Sequence, residues 1–149
     1  MRKNPKTKRR EAERAAEWYA HEIEGCTHTI RAVRTKWQWQ DLFGCDVLGK
    51  RPDGSCVWIQ VTAGGAEAAR RRRRKLEQYP WSVEDTVLFL QLVHTEDPDN
   101  ARRKLWWFRI WRYEDKKWHR EERVSVPRKW FGVYKSPKPV MSSASSNPY

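Results

Sequence analysis

The chain has 149 residues, and its 31 Lys and Arg residues against 19 Asp and Glu residues give a net charge of +12 and a pI near 10.0. This length suits one domain with a single core, and the charge favours a polyanionic partner, nucleic acid ahead of an anionic membrane surface. No apolar run reaches the length of about 18 residues that spans a bilayer, and the N-terminal segment lacks the apolar stretch of a signal peptide. We therefore expect a cytoplasmic protein with no membrane partner.

The first predicted element is an amphipathic helix over residues 5–24. Its small and aromatic residues recur at three- and four-residue spacings from Ala12 to Ile23, and Gly25 is a natural stop. The basic segment over residues 1–10 is predicted to be a flexible arm that contacts phosphates, with a solubility tail as the alternative.

A tight hairpin over residues 45–62 follows a predicted strand (27–34) and a predicted loop (35–44). In "RPDGS", proline presets φ for the first loop position, and Gly54 can adopt the left-handed conformation that closes the turn. A three-residue loop then pairs Arg51 with Ser55.

This register sets Gln60 opposite Asp46, with Thr62 on the same face of its strand. Cross-strand neighbours lie about 5 Å apart, which is the scale of a divalent-metal site. Carboxylate and amide oxygens are hard ligands that suit magnesium or manganese. From geometry alone, a simple hydrogen bond between Asp46 and Gln60 is the favoured alternative.

The remaining elements complete an α/β pattern. They are, in chain order, a helix over 66–78 that ends before Pro80, a buried central strand over 85–94, a loop over 95–100, and two strands over 104–114 and 117–126 joined by a turn at Asp115 and Lys116. The Pro/Ser-rich segment 135–149 is predicted to be disordered, which leaves a single domain over 1–134.

This order, with its motifs, resembles the PD-(D/E)XK nuclease superfamily, particularly the archaeal-type Holliday junction resolvases, over residues 5–94. The resemblance implies a restriction-endonuclease-like αβββαβ core with a mixed sheet, to which a C-terminal β-hairpin is added. In that family, acidic residues on the first helix and at the start of the second strand, with an acid-x-lysine on the third, surround a metal. Here "KRREAERAAEWY" places Glu13 in the first position, with Glu17 as a second choice. "DLFGCDVLG" places Asp46 in the second position, and "IQVT" occupies the third motif.

Two departures appear in that third motif, because Gln60 replaces the acid and Thr62 replaces the lysine. The resemblance implies that Glu13, Asp46, Gln60 and the Val61 carbonyl hold Mg²⁺ or Mn²⁺, with Thr62 positioning the attacking water. Threonine carries no charge, so a cation must come from elsewhere. The following helix offers Lys75, with Arg73 and Arg74 as alternatives.

Basic residues outside this motif are predicted to contact DNA. The run from Arg70 to Lys75 wraps its helix and cannot face one ligand as a whole, and a solvated face is the alternative. The predicted DNA contacts are Lys8, Arg9, Arg10, Arg34, Lys36, Arg70, Arg71, Arg73 and Arg74.

The strand "KLWWFRIWRY" has two aromatic faces. One carries Trp106, Phe108 and Ile110, and the other carries Trp107, Trp111 and Tyr113 with Arg109 between them. One face is predicted to pack on the core, and the other could form a dimer surface or a base-stacking platform, with core or dimer packing favoured over base stacking. The resemblance favours a homodimer.

The predicted function is that of a magnesium-dependent endonuclease that cuts branched DNA such as Holliday junctions. A non-catalytic DNA-binding protein that keeps this fold is one alternative, and a single-strand-binding module is the other.

Overall fold

The computed structural model describes residues 5–34, 39–40 and 42–127. The helices and strands are α1 (Pro5–Glu22), β1 (His28–Arg31), β2 (Val33–Arg34), β3 (Trp39–Gln40), β4 (Val47–Lys50), β5 (Cys56–Thr62), α2 (Ala66–Leu76), β6 (Thr86–Asp97), β7 (Asn100–Glu114) and β8 (Lys117–Val126). The predicted tail at 135–149 and the domain boundary at 134 lie outside the described residues.

Six of the strands form one mixed sheet in the order β1-β4-β5-β6-β7-β8, while β2 and β3 pair separately. Within this sheet β5 and β6 are parallel, and the other neighbouring pairs are antiparallel. The parallel pair requires a crossover, which α2 supplies. The predicted α/β architecture with an added C-terminal hairpin is confirmed, and its nuclease-like character remains a prediction.

The two helices cover opposite faces of the sheet. On one face Tyr19 and the alanines of α1 pack against Val57, Ile59 and Val61 of β5. On the other face, the cluster under α2 includes Trp58 and Phe89. This alternation follows from the period of two along a strand, and it assigns Gln60 and Thr62 to the α2 face.

The β4–β5 hairpin has the predicted register. The Arg51 N–H donates to the Ser55 carbonyl at 3.0 Å, and Val47 pairs with Ile59. Gly54 adopts a φ of 87°, as the turn requires. Turn chemistry alone therefore fixed the position of Asp46 relative to Gln60.

Four sequence predictions were wrong in their bounds. The strand over 27–34 breaks at Ala32, whose N–H donates to the Asp46 carbonyl at 2.9 Å instead of continuing a ladder. The loop over 35–44 contains β3, which pairs with β2. The loop over 95–100 shrinks to a two-residue turn, because β6 and β7 extend their pairing as far as Asp97 and Asn100. The basic arm is helical from Pro5.

A buried network of ion pairs lies at the amino end of β5. The Glu24 carboxylate accepts hydrogen bonds from Arg51 at 2.9 Å, from Arg112 at 3.2 Å and from the Tyr19 hydroxyl at 3.1 Å. Arg112 also donates to Glu121 at 2.9 Å. Burial lowers the pKa of Arg112, but Glu24 and Glu121 outweigh it, so that this pKa is raised. The charges of this network are therefore satisfied within the protein.

Candidate active site

A cavity of about 650 Å³ opens at the carboxyl end of β5, between α1 and α2. Asp46, Gln60 and Thr62 line it, together with four cations. Lys8 and Arg9 come from α1, and Arg72 and Lys75 come from α2. The cavity thus combines a small polar cluster with a basic rim.

Asp46 is held by backbone and side-chain hydrogen bonds and is only 5% exposed. Its backbone N–H donates to the Ile59 carbonyl at 2.8 Å. One carboxylate oxygen, Oδ2, accepts from Gln60 Nε2 at 2.9 Å and from the Val61 N–H at 3.1 Å. The predicted juxtaposition of Asp46 and Gln60 is confirmed, and the hydrogen bond between them is the alternative that geometry favoured.

The donor set at this pair fits a magnesium ion that is held weakly. Asp46 supplies one carboxylate, the Val61 carbonyl adds an oxygen, and rotation of the Gln60 amide exchanges its nitrogen for its oxygen. Over residues 5–34, 39–40 and 42–127, no three His, Cys, Asp or Glu side chains converge as a metal site. Magnesium keeps several waters and often binds through one carboxylate and the substrate phosphates, so DNA would have to complete this site.

The two acidic residues of α1 that were predicted as metal ligands, Glu13 and Glu17, have different surroundings. Glu13 is nearly buried at 9% exposure, but the cavity is lined by its neighbour Ala12 and not by Glu13 itself. Glu17 accepts a hydrogen bond from the Thr29 hydroxyl at 2.8 Å and pairs with Arg31. Glu17 therefore ties α1 to β1, and a metal-binding role for Glu13 remains a prediction.

Thr62 ends β5 at the floor of the cavity. Its hydroxyl oxygen accepts from the Gly64 N–H at 3.0 Å, which leaves the hydroxyl hydrogen available for donation. Gly65, at the N-cap of α2, offers no side-chain cap to the first turn of the helix. The N–H groups of that turn lie beside Gly64, which lines the cavity, and they favour an anion there.

The cations of α2 divide by helix face. Ala68, Arg72 and Lys75 share the face that lines the cavity, whereas Arg74 is exposed on another. Arg73 lies over the Trp111 ring, 4.4 Å from its centroid, and burial followed by the charge of Arg70 lowers its pKa.

Of the three cations predicted to replace the missing lysine, Lys75 lines the cavity, whereas Arg73 and Arg74 do not. Sequence reasoning missed Arg72. The spacing of four and then three residues from Ala68 through Arg72 to Lys75 was the signal that would have identified it.

The other predicted DNA contacts are spread over several elements. Lys8 and Arg9 line the cavity, Arg10 is exposed one residue further along α1, and Arg70 and Arg71 are exposed on α2. The Arg34 side chain and Lys36 lie outside the described residues. Within the described chain, Lys8, Arg9 and Arg72 form no ion pair.

Comparison with family models, with curated proteins and with solved structures finds no match. Neither described helix is long and apolar enough to cross a bilayer. The resemblance to nucleases therefore depends on the order of the elements and on the motif residues.

Proposed function

We propose that this protein is a metal-dependent endonuclease that cuts branched DNA, in the manner of a Holliday junction resolvase. The observation that carries the proposal is the position of buried Asp46, with Gln60 and Thr62, in a cavity rimmed by cations from both helices. A carboxylate surrounded by cations is a suitable arrangement for a phosphodiester and a divalent ion together.

The basic rim supports DNA as the substrate. Lys8 and Arg9 lie on one side of the cavity, and Arg72 and Lys75 lie on the other, so a phosphate in the cavity meets positive charge from both helices. Ion pairs within the described chain do not neutralise Lys8, Arg9 or Arg72, which leaves their charge available to the DNA backbone.

Hydrolysis requires a water to attack phosphorus while the bond from phosphorus to the leaving oxygen breaks. A bound magnesium ion supplies Lewis acidity at the phosphate and lowers the pKa of a coordinated water. Asp46 would bind that ion through its carboxylate, with the Gln60 amide oxygen and the Val61 carbonyl as further ligands. Thr62 would donate its hydroxyl hydrogen to a water or a phosphate oxygen.

The charge that develops on phosphorus needs a cation close by. Lys75 lines the cavity with Asp46 and takes the role that the motif lysine has in the resembling family, with Arg72 as its partner one helical turn away. A resolvase-like enzyme acts on symmetry-related strands, so we also expect a homodimer, which sedimentation velocity measures.

A second function is favoured by one specific observation. Gln60 donates its amide hydrogen to the Asp46 carboxylate, and Thr62 stands where a lysine would be. Both features suit a protein that binds DNA without cutting it. Such a protein would retain its affinity for junctions when Asp46 is replaced, and it would yield no product under any metal condition.

The test is cleavage of an end-labelled four-way junction and a matched duplex, with Mg²⁺, with Mn²⁺ and with EDTA. We expect junction cleavage that depends on the metal and falls about a hundredfold or more in Asp46→Ala, because the carboxylate that lines the described cavity is lost. Glu122→Gln, which removes an exposed carboxylate of β8, is the control and should cleave normally. Absence of product from the wild-type protein at high concentration would reject the nuclease.

A further inference from the structure

A second cavity, of about 320 Å³, lies at the same end of the sheet as the active-site cavity. It is enclosed by the end of β6, the start of β7 and the end of β8. By strand alternation, the lining side chains on the α2 face are Thr95, Arg103, Leu105, Trp107, Arg123 and Ser125. The remaining lining residues are Asp97, Lys104, Trp106 and Val126, so the cavity combines indole, cationic and hydroxyl groups with one carboxylate.

Two arginines lie close to the Trp107 ring. The Arg109 guanidinium is 5.3 Å from the centroid of its ring, and the Arg123 guanidinium is 5.0 Å from it. The Trp107 Nε1 and Arg109 Nε donors are buried without a hydrogen-bond partner in the described part of the chain. Nor does any described carboxylate pair with Arg103, Arg109 or Arg123. These donors and guanidinium groups therefore have neither an acceptor nor a paired carboxylate in the described part of the chain, and Asp97, the carboxylate that lines the cavity, accepts instead from the Asp99 N–H at 2.9 Å.

The rest of this aromatic face has a different environment. Trp111 and Tyr113 pack in the cluster under α2, with Trp111 5.7 Å from the Phe89 ring centroid. Both are partly buried against that cluster, so this half of the face packs within the chain, which is the core packing that the sequence favoured over base stacking. Trp107, by contrast, lines the second cavity, and Arg109 lies two residues further along β7.

We propose that the second cavity binds one unstacked nucleotide of single-stranded DNA. The base would stack against the Trp107 indole or against the Arg123 guanidinium that lies over it, since both present flat surfaces. Arg103 and Arg123, which are exposed, would bind the phosphates, whose negative charge would balance the two guanidinium groups.

The second cavity is positioned to receive a strand that leaves the active site. Thr62 pairs with Gln91, and Gln91 pairs with Arg109, so the three residues form one row across the α2 face of the sheet. Two strand spacings separate Thr62 from Arg109, or about 10 Å. This inference extends the proposed nuclease function, on which it rests, by naming the substrate class as branched DNA with a single-stranded arm.

A second copy of the chain is a poorer occupant. In a twofold dimer through this surface, the Arg103 and Arg123 of each copy would approach the same residues of the other. Juxtaposed like charges cost several kcal/mol and oppose association. A polyanion meets no such penalty.

The test measures binding of a fluorescein-labelled oligothymidylate of about 16 nucleotides, and of a blunt duplex of equal length, by fluorescence anisotropy in EDTA. The test variant is R103Q/R123Q, in which both replaced residues are exposed. The matched control is K50Q/K117Q, which removes two exposed charges at the opposite end of the sheet. We expect the test variant to lose about tenfold or more in affinity for the single strand, and the control no more than about twofold.

Substitutions of Trp107 separate stacking from charge. Trp107→Phe keeps an aromatic ring and should retain most single-strand affinity, whereas Trp107→Leu should lose it with little change for the duplex. Equal losses on single strand and duplex, or equal losses in the test and control variants, would overturn the proposal. A dimer that dissociates in R103Q/R123Q while single-strand affinity stays constant would overturn it as well.

Because this assay omits metal, its outcome is separate from that of the cleavage test. Single-strand binding without cleavage of any DNA would support the second cavity and reject the nuclease. Cleavage of a plain junction without a preference for the oligothymidylate over duplex would support the nuclease and reject the second cavity.

Discussion

The two ends of the sheet use the same kinds of side chain in opposite ways. At the amino end of β5, Arg51 and Arg112 share the buried Glu24 carboxylate. At the carboxyl end, Lys8, Arg9 and Arg72 surround a cavity without forming an ion pair in the described chain. The paired arginines hold the fold together, and the unpaired cations are available to an anionic ligand.

This difference shows why a count of cations is a poor guide to a binding surface. Arg73 and Arg112 belong to the same basic chain as Arg72, yet one lies over Trp111 and the other is tied to two glutamates. Only the cations without such partners have their charge free for DNA. Substitutions at the amino end should therefore change mainly stability, and substitutions at the carboxyl end should change mainly binding.

The largest expected effect is on stability, at the amino end. Glu24→Gln should lower the free energy of unfolding by about 3 kcal/mol, because it leaves two arginines without their buried counter-charge. Urea denaturation followed by circular dichroism measures this loss. Glu122→Gln removes an exposed carboxylate and should change stability by less than about 0.5 kcal/mol. Equal effects of the two substitutions would show that the network does not stabilise the fold.

The next effect is on binding, at the carboxyl end. R72Q/K75Q should weaken junction binding about tenfold in Ca²⁺ or EDTA, and it should reduce the slope of log affinity against log salt by about 2. R71Q/R74Q removes two exposed cations with the same spacing from the same helix and should have a smaller effect. Both variants should have the same midpoint of urea unfolding as the wild-type protein. A larger loss in R71Q/R74Q would place the DNA on the outer face of α2.

The smallest effect is a pH dependence at the amino end. Burial raises the pKa of Cys26 from 9.0 to about 11, and burial together with Glu24 raises the pKa of Tyr19. The folded state therefore keeps protons that the unfolded state releases, so stability falls as pH rises above about 9. Cys26→Ala should reduce this loss between pH 9 and 11, and Cys56→Ala should have a smaller effect, since Cys56 acts here only as the last of the causes that raise the Cys26 pKa. An identical slope in both variants would exclude Cys26 as a contributor.

The sequence predicted the site more accurately than its surroundings. Turn chemistry at Pro52 and Gly54 is local, and it was enough to set Asp46 against Gln60. The two alternating faces of β5 followed from periodicity. Which cations reach the cavity depended on how α2 lies on the sheet, and for this reason Arg72 was missed.

Other features required tertiary information. The break at Ala32 comes from a hydrogen bond to Asp46, and the length of β6 and β7 comes from pairing that local propensity underestimates. The Glu24 network joins Glu24, just after α1, to Arg112 of β7 across 88 positions of sequence, a separation over which no local pattern gives information. The second cavity likewise exists only once the ends of three strands are brought together.

The central claim is that Asp46 and Gln60 hold a divalent metal ion. Crystals soaked in Mn²⁺, with and without a bound junction, test it by anomalous scattering from the metal. We predict an anomalous peak within coordination distance of the Asp46 carboxylate and the Val61 carbonyl, with the Gln60 amide rotated so that its oxygen faces the metal, and with higher occupancy when DNA is bound. An intact hydrogen bond from Gln60 to Asp46, with no peak in the DNA complex, would contradict the account.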